Sequence, residues 1–326
     1  MILSVEKVTK LVEAEISNIE SSKFTKSLYA PITYIMSLGG KRLRPVMSVF
    51  AYSLFKDNID AALKPAVALE YFHNFTLMHD DIMDNAPLRR GKTTVHEKWN
   101  SNTAILSGDA MLIKTYQLFE NINDLEIYNS ILERFNKTAL EVCEGQMLDM
   151  EFEKRSDISL FEYIEMIRLK TSVLLGFSLE LGALLAKQDS QVALKLYSVG
   201  VNAGIAFQIK DDYLDLFGEA AQVGKKIGGD VIANKKTYLL VKLLELVNSS
   251  DKKLVLNWLS KSEFDENEKI SFFKSMFAKY DIKALAEKEM NDYFETAMQQ
   301  LDSLKVDLVR RGSLKRILLN LINREK

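Results

Sequence analysis

The chain has 326 residues and a formal net charge of −2, with 43 lysines and arginines against 45 aspartates and glutamates. The chain is 47% apolar and 27% charged, which excludes a disordered chain, and the balance of charges gives no global basic excess that would recruit nucleic acid. Its single cysteine, Cys143, cannot form an intrachain disulfide, so we expect a protein of the reducing cytoplasm. We expect neither a signal peptide nor an integral membrane segment, because the most apolar stretch, residues 172–185, is too short to span a bilayer.

Few residues in this sequence interrupt helices. It contains 4 prolines and 14 glycines, and apolar residues recur with helical period along most of its length. No pair of alternating β-branched runs flanks an Asn-Gly or Asp-Gly turn. We therefore expect an all-α protein with a single domain over residues 1–326, a bundle of about ten or more helices around a central cavity. The predicted helices span residues 3–20, 24–38, 44–56, 60–83, 102–121, 124–152, 160–186, 189–217, 236–248, 250–260, 266–279, 282–301 and 310–324.

Local signals mark several helix ends. Pro45 suits the first turn of a helix that follows the glycines at 39–40. Ser159 and Glu162 have the spacing of a capping box. Gly218 follows an apolar helical run, as a glycine beyond a helix end does.

Two predicted helices are apolar nearly all round. They cover residues 61–79 and 199–209, so we expect both to be buried at the centre of the bundle. Each runs directly into an acidic motif of the form D-D-x-x-D. The acidic residues are Asp80, Asp81 and Asp84 in the first motif, and Asp211, Asp212 and Asp215 in the second.

The spacing in both motifs suits a cation. Positions i and i+4 share one helix face, so Asp80 and Asp84 project together, as do Asp211 and Asp215. Carboxylates clustered at the carboxyl end of a helix repel one another and oppose the helix dipole, and a divalent cation would offset both effects. Mg²⁺ binds through one or two carboxylates, phosphate oxygens and water. We therefore predict Mg²⁺ as the cofactor, with Mn²⁺ as a substitute; the alternative is an acidic helix end that faces solvent.

Basic runs alternate with the acidic motifs. The first run surrounds a turn before a helix start, an arrangement suited to an anion. Taken singly, each run could be a solvated surface, but together they predict a cavity that binds phosphates directly and through metal. The basic residues are Lys41, Arg42 and Arg44, then Arg89, Arg90 and Lys92, and finally Lys225, Lys226, Lys235 and Lys236.

The motifs also occur in a recognisable order. They are GGKRLRP at 39–45, HDDIMD at 79–84, APLRRG at 86–91, GQMLD at 145–149, Lys170-Thr171, FQIKDDYLD at 207–215, GKKIGGD at 224–230 and Lys235. With this order and spacing, almost the whole chain resembles the trans-isoprenyl diphosphate synthases of the polyprenyl synthetase family. The resemblance implies the isoprenoid synthase fold, a homodimer, and a head-to-tail condensation of isopentenyl diphosphate with dimethylallyl, geranyl or farnesyl diphosphate.

The resemblance also implies roles for individual residues. The metal ligands would be Asp80, Asp84 and Asp211, with Asp81, Asp212 and Asp215 as further ligands or supports. Contacts to the allylic diphosphate would come from Arg89, Lys170, Lys225 and Lys235, although the doubled lysine leaves open Lys225 or Lys226. The isopentenyl diphosphate pocket would contain Lys41, Arg44, His73 and Arg90. The polar groups near the reacting carbons would be Gln208 and Thr171, with Gln146 and Asp149 on the facing helix.

Residues upstream of Asp80 bear on product length. In the family, an aromatic five positions before this aspartate accompanies short products, and Phe75 holds that position, with Phe72 one turn further upstream. Thr76 stands where farnesyl-making animal relatives often carry a second aromatic. The pattern is closest to archaeal-type geranylgeranyl synthases and predicts a C20 product, with a C15 farnesyl product as the alternative. If both phenylalanines are ordinary core residues, a longer-chain synthase stays open.

Other protein classes fit the sequence less well. Glu70 and His73 have the spacing of a di-iron carboxylate bundle, but that site needs two such motifs, and no second one accompanies His79 or His96. A terpene cyclase would not need the GGKRLRP pocket. A non-catalytic partner subunit would have lost site residues, which are all present here. The basic tail at 324–326 is a candidate lid over the site, or it simply complements a helix dipole.

Overall fold

The computed structural model describes residues 3–18, 25–218 and 227–322, most of which are α-helical. The all-α prediction is therefore confirmed. The first helices are α1 (Val5–Ser17), α2 (Lys26–Ser37), α3 (Leu43–Ser53), α4 (Asp60–Met83), α5 (Val95–Lys98), α6 (Ser101–Phe119), α7 (Leu125–Glu153) and α8 (Leu160–Ile167). The later helices are α9 (Val173–Leu185), α10 (Ser190–Phe217), α11 (Gly229–Ile232), α12 (Tyr238–Leu246), α13 (Ser249–Ser260), α14 (Glu266–Lys279), α15 (Ile282–Asp302) and α16 (Leu308–Ile322).

The chain divides into two compact units that interleave along the sequence. The first unit comprises Met1–Phe135, Phe177–Leu196 and Lys305–Leu314. The second comprises Asn136–Gly176, Tyr197–Leu304 and Lys315–Lys326. A single domain around a central cavity stays a prediction.

The core of the first unit is built around α4. This helix is buried on nearly all sides, as the sequence predicts, with Val67, Leu69 and Phe72 each almost inaccessible. Gly182 of α9 lies so close to α3 that an added Cβ would stand 2.4 Å from the carbonyl oxygen of Ser48. The glycine therefore permits the two helix backbones to pack directly against each other.

The core of the second unit gathers side chains from α8, α10, α12, α14 and α15. Its largest members are aromatic: Tyr163, Tyr238, Phe273 and Phe277 are each about 1% exposed. These aromatic side chains bury much of the apolar area that stabilises the unit.

Three features differ from the predicted elements. A two-stranded antiparallel hairpin, β1 (Leu88–Arg89) and β2 (Lys92–Thr93), lies where no strand was expected. The predicted helix 160–186 is interrupted by a π-helical turn at Arg168–Ser172. The short helices α5 and α11 were also not predicted, because four residues are too few to show a helical period.

Helix capping agrees with the sequence signals. The Ser159 side chain accepts a hydrogen bond from the backbone N–H of Glu162, and the Glu162 carboxylate accepts one from the backbone N–H of Ser159. This is the predicted capping box, and it fixes the start of α8. Pro45 lies in the first turn of α3, as expected.

One helix in the described part of the chain, α10, is long and apolar enough to cross a membrane by length and composition alone. Half of its most apolar window is buried inside the protein, which is typical of a core helix. Residues 172–185, the stretch that looked most apolar in the sequence, are not the segment that meets this test. The prediction that no segment crosses a membrane therefore depends on the burial of α10.

Candidate active site

The first acidic motif lies at the carboxyl end of α4, and its three carboxylates differ in their surroundings. Asp81 is 2% exposed. Its Oδ2 accepts a hydrogen bond from Arg89 Nε at 2.8 Å, and its Oδ1 forms an ion pair with Arg89 Nη2 at 2.7 Å. Asp80 is partly exposed, with Oδ2 at 3.8 Å from Arg89 Nη2, and Asp84 is exposed. Asp81 is thus an anchor for the arginine, whereas Asp80 and Asp84 remain accessible one turn apart.

The unpredicted hairpin places the two arginines of the RRG sequence. Its two-residue turn, Arg90 and Gly91, has φ values of +53° and +72°, which suits a type I′ turn. A search for Asn-Gly or Asp-Gly misses it because an arginine stands at the first turn position. The Arg90 guanidinium donates a hydrogen bond to the carbonyl oxygen of Gly39. Arg90 is therefore held against the basic turn that precedes α3.

Arg42 plays a structural role in that basic turn. Its backbone is left-handed, with φ at +46°, and the residue is 3% exposed. The guanidinium donates to Glu13 at 2.7 Å, to Glu70 at 2.8 Å and to the carbonyl oxygen of Met36 at 2.6 Å. Of the three cations predicted to surround an anion, Arg42 is thus already neutralised, and Lys41 is the exposed one.

Positive charge concentrates around His73. Burial, reinforced by nearby arginines of which Arg44 and Arg90 are the strongest, lowers the pKa of His73 well below its ordinary value. The imidazole is therefore neutral at pH 7. Burial also lowers the pKa of Arg44 to about 10, so its guanidinium stays charged, and its Nε is buried without a hydrogen-bond partner. A buried cationic donor with no acceptor suits an anionic ligand.

The second acidic motif lies in the last turns of α10. Asp212 is 4% exposed, and its Oδ2 accepts a hydrogen bond from the Tyr163 hydroxyl and one, at 2.7 Å, from the backbone N–H of Tyr238. Burial raises the pKa of Asp212 to about 7, although these hydrogen bonds oppose the shift. Asp215 Oδ2 accepts from the backbone N–H of Asp230 at 3.0 Å, and Asp211 is partly exposed. The contacts favour Asp212 as a support of α10.

The π-helical turn carries the Lys170-Thr171 pair. Gly145 of α7 packs against this turn so closely that an added Cβ would lie 2.2 Å from the backbone nitrogen of Lys170. The Lys170 ammonium donates to Asp149, and the Thr171 hydroxyl lies 3.4 Å from Gln208 Oε1. A π turn aims side chains away from regular helical positions, and such turns are frequent at functional sites. The structure thus brings together residues that the sequence placed in three separate motifs.

Two predicted site residues need separate mention. Gln146 Nε2 is buried without a hydrogen-bond partner, so it could donate to a ligand. Lys235 is exposed and follows α11. Lys225, Lys226 and the tail at 324–326 lie outside the described residues.

The residues predicted to limit product length separate into two environments. Phe72 is 1% exposed and packs edge-on against Phe135, with ring centroids 5.1 Å apart. Phe75 is only partly buried and packs against His79 at 4.8 Å. The Thr76 hydroxyl donates to the carbonyl oxygen of His73 at 2.8 Å. Phe72 is therefore a core residue, and Phe75 is the one with a partly accessible ring.

The donor set fits Mg²⁺ but does not form a complete site by itself. Within residues 3–18, 25–218 and 227–322, no group of three or more acidic, histidine or cysteine side chains could hold a metal ion. Asp80 with Asp84, and Asp211 with Asp215, are instead pairs of hard oxygen donors one turn apart. Mg²⁺ takes one or two protein carboxylates and completes its octahedron with phosphate oxygens and water, so such pairs suit it.

Comparison with known proteins identifies the family of the chain. The family model described as polyprenyl synthetase matches residues 25–276. The chain belongs to the polyprenyl synthetase family. Membership makes the chain an enzyme of the prenyltransferase class, which acts on isoprenoid diphosphates, and its all-α architecture is that of this family.

Individual relatives are similar over most of their length. The geranylgeranyl diphosphate synthase of Saccharolobus solfataricus is 41% identical over 256 residues, which cover 77% of this chain and 76% of that protein. The short chain isoprenyl diphosphate synthase of Methanocaldococcus jannaschii is 40% identical over 243 residues, covering 74% and 73%. The crystal structure of geranylgeranyl pyrophosphate synthetase from Pyrococcus horikoshii Ot3 matches with a TM-score of 0.92 at 33% identity, covering 98% of this chain and 97% of that one.

Proposed function

We propose that the chain condenses isopentenyl diphosphate with allylic diphosphates and releases geranylgeranyl diphosphate, a C20 product. The observation that carries this proposal is the buried Arg44 Nε, which has no hydrogen-bond partner and lies in the cationic surroundings of His73. The same unit contains the carboxylate pair Asp80 and Asp84. Arginines together with paired carboxylates suit substrates whose phosphate oxygens bind cationic side chains directly and Mg²⁺ as well.

The proposal divides the site residues by role. The isopentenyl diphosphate pocket comprises Lys41, Arg44, His73 and Arg90. The allylic diphosphate is bound by Arg89, Lys170 and Lys235, with Lys225 as the predicted residue outside the described part of the chain. The residues that hold Mg²⁺ or Mn²⁺ are Asp80, Asp84, Asp211 and Asp215, while Asp81 and Asp212 keep the two helix ends in place.

The chain's residues promote the reaction by charge and position. When bound, Mg²⁺ supplies Lewis-acid stabilisation of the diphosphate charge. Lys170 and Lys235 stabilise the same charge as the allylic C–O bond breaks and its electron pair leaves with the diphosphate. The double bond of isopentenyl diphosphate then supplies the electron pair of the new C–C bond, next to the polar groups of Thr171 and Gln208. A proton lost to the released diphosphate restores a double bond, so no protein nucleophile is required.

Phe75 supports a short product. Its partly accessible ring lies five residues before Asp80, on the helix that enters the first acidic motif. A ring at this position would block chain growth. Thr76, with no second aromatic ring, favours C20 over the C15 farnesyl product, which is the second candidate.

We also propose a homodimer in the cytoplasm. Helix α6 carries exposed apolar side chains at Ile105, Leu106, Ile113 and Tyr116, between 36% and 62% exposed. A second copy of the chain would cover them. Light scattering of Ile113→Asp, with Lys274→Asp at an exposed position of α14 as control, tests the dimer: we expect only the first variant to become monomeric.

A product assay tests the reaction. Purified protein with Mg²⁺, labelled isopentenyl diphosphate and each allylic starter in turn should yield products that stop at C20 and should be inactive with EDTA. Two variants form a matched pair: Phe75→Ala should lengthen the product, and Thr76→Phe should shorten it to C15. Products well beyond C20 from the wild type would refute the length assignment, and no elongation with any starter would refute the proposed reaction.

A further inference from the structure

A buried lysine that the proposed mechanism does not use lies in the second unit. Lys269 on α14 is 0% exposed. Its ammonium donates hydrogen bonds to the carbonyl oxygen of Ile232 at 3.1 Å and to Asn234 Oδ1 at 2.6 Å, and it lies 4.0 Å from the centre of the Phe264 ring. Within the described residues its two hydrogen-bond acceptors are both neutral, and no carboxylate acts on it. Burial lowers its pKa.

Stability alone does not account for this lysine. A buried ammonium group with neutral partners carries a desolvation penalty that a methionine of similar length would avoid. We therefore expect the hydrogen bonds of this lysine to hold a particular stretch of backbone in place, which the packing of an apolar side chain would not do. Those bonds go to the end of α11 and to the residue just before Lys235.

Asn234 is held in an uncommon conformation. Its φ is +56°, a left-handed geometry that asparagine tolerates better than most residues. Besides accepting from Lys269, its side chain donates to the carbonyl oxygen of Leu259 at 3.0 Å. Two elements thus hold Asn234, and the left-handed turn sets the direction in which the chain continues into Lys235.

The same segment, residues 228–238, is bonded to the second acidic motif. The backbone N–H of Gly228 donates to the carbonyl oxygen of Asp215 at 2.7 Å, and that of Asp230 donates to the Asp215 carboxylate at 3.0 Å. At the other end of the segment, Tyr238 N–H donates to Asp212. Lys235 lies between these attachments, and its own N–H bonds to the carbonyl oxygen of Asp230 at 2.9 Å.

We propose that Lys269 is a positioning residue: by bonding Ile232 and Asn234 it fixes segment 228–238, and so sets Lys235 relative to Asp215 for binding of the allylic diphosphate. This inference rests on the proposed function. All contacts of Lys269 and of segment 228–238 named above lie within the second unit. Loss of Lys269 should therefore weaken binding of the allylic diphosphate and leave the isopentenyl diphosphate pocket of the first unit unchanged.

The test separates two Michaelis constants. In Lys269→Met we expect KM for the allylic diphosphate to rise about tenfold, since small displacements of binding groups have effects of this order or larger, and KM for isopentenyl diphosphate to stay unchanged. Lys274→Met, an exposed lysine on the same helix, is the matched control and should match the wild type. A merely structural role would lower the active fraction, and hence kcat, with both KM values unchanged, which would overturn the proposal.

Two further measurements do not depend on turnover. Amide hydrogen exchange in residues 228–238 should quicken in Lys269→Met and not in Lys274→Met; equal protection in the two variants would overturn the proposal. If Lys269→Met does not fold, Asn234→Ala, which removes the acceptor, should show the same allylic KM and exchange effects, and a wild-type profile there would overturn the proposal.

Calorimetric titration with inorganic diphosphate and Mg²⁺ separates this inference from the proposed function. Weaker diphosphate binding by Lys269→Met than by the wild type supports the positioning role even if the wild type fails to elongate any starter, which would refute only the proposed reaction. Elongation by the wild type together with equal diphosphate affinity in wild type and variant would refute only the positioning role.

Discussion

The two D-D-x-x-D motifs share a sequence pattern but hold their middle carboxylate in opposite ways. In the first, Arg89 meets Asp81 with one charged hydrogen bond of 2.8 Å and an ion-pair contact of 2.7 Å. In the second, Asp212 is held by neutral donors, the Tyr163 hydroxyl and the Tyr238 backbone N–H. The difference teaches that the pattern alone specifies the outer pair of carboxylates, whereas the state of the middle one depends on what surrounds it.

The two arrangements have different electrostatic consequences. Arg89 and Asp81 compensate each other's charge, so removing either partner leaves the other uncompensated. A carboxylate buried among neutral donors is pushed toward its protonated form, which is why burial raises the pKa of Asp212 to about 7. Magnesium binding nearby would favour the charged form.

The largest expected effect separates the outer from the middle carboxylates. Asp211→Asn should lower kcat about 10²-fold or more, because it removes a carboxylate that stabilises charge through the metal. Asp212→Asn should lower kcat by less than about tenfold, because asparagine can still accept the two neutral hydrogen bonds. Steady-state assays at saturating Mg²⁺ measure both. Equal losses would show that Asp212 is itself a metal ligand.

The next effect concerns stability and compares the two middle carboxylates. Asp81→Asn should lower the free energy of unfolding by about 2 kcal/mol, since Arg89 loses its counter-charge while keeping some access to water. Asp212→Asn should change the free energy of unfolding little at pH 7. Urea unfolding in metal-free buffer gives both values. A larger loss for Asp212→Asn than for Asp81→Asn would contradict the contrast between charged and neutral partners.

The pH dependence of stability gives a third test. Because the folded-state pKa of Asp212, about 7, lies above its ordinary value of 3.8, the folded protein holds a proton that the unfolded chain has released between these pH values. The contribution of Asp212 to the free energy of unfolding is therefore fully present at low pH. It is lost as pH rises toward 7, by about 1 kcal/mol per pH unit. Urea unfolding of wild type and Asp212→Asn at pH 5, 6 and 7, with EDTA, measures it: the difference between the two proteins should follow this slope, and a constant difference would refute it.

The smallest effect tests the support of Tyr163. Ser159→Ala removes the side-chain cap of α8, the helix that carries Tyr163 to Asp212, and should lower the free energy of unfolding by about 1 kcal/mol. Ser159→Asp keeps a capping group and is the control. Thermal unfolding checks both. If the alanine variant equals the wild type, the capping box does not stabilise the second unit.

Much of the fold and of the candidate residues could be predicted from the sequence. Long helices with strong period, such as α4 and α10, and the capping box at Ser159 are local features, and they agree with the structure. The hairpin at Arg90 could not be recognised, because an arginine with φ at +53° is rarely found in such a turn. Nor does any sequence signal break the helix at Arg168–Ser172, where packing against Gly145 accompanies the π turn.

The sequence by itself determined which carboxylates form pairs, because residues four apart on a helix share a face wherever that helix lies. It also determined the family, through motifs read in order. Only the tertiary structure decided the partners of the middle carboxylates: Arg89 is 8 residues from Asp81, whereas Tyr163 and Tyr238 are 49 and 26 residues from Asp212. One of those partners is a backbone N–H, which every residue except proline possesses, so only the packing of α8, α10 and α12 selects it.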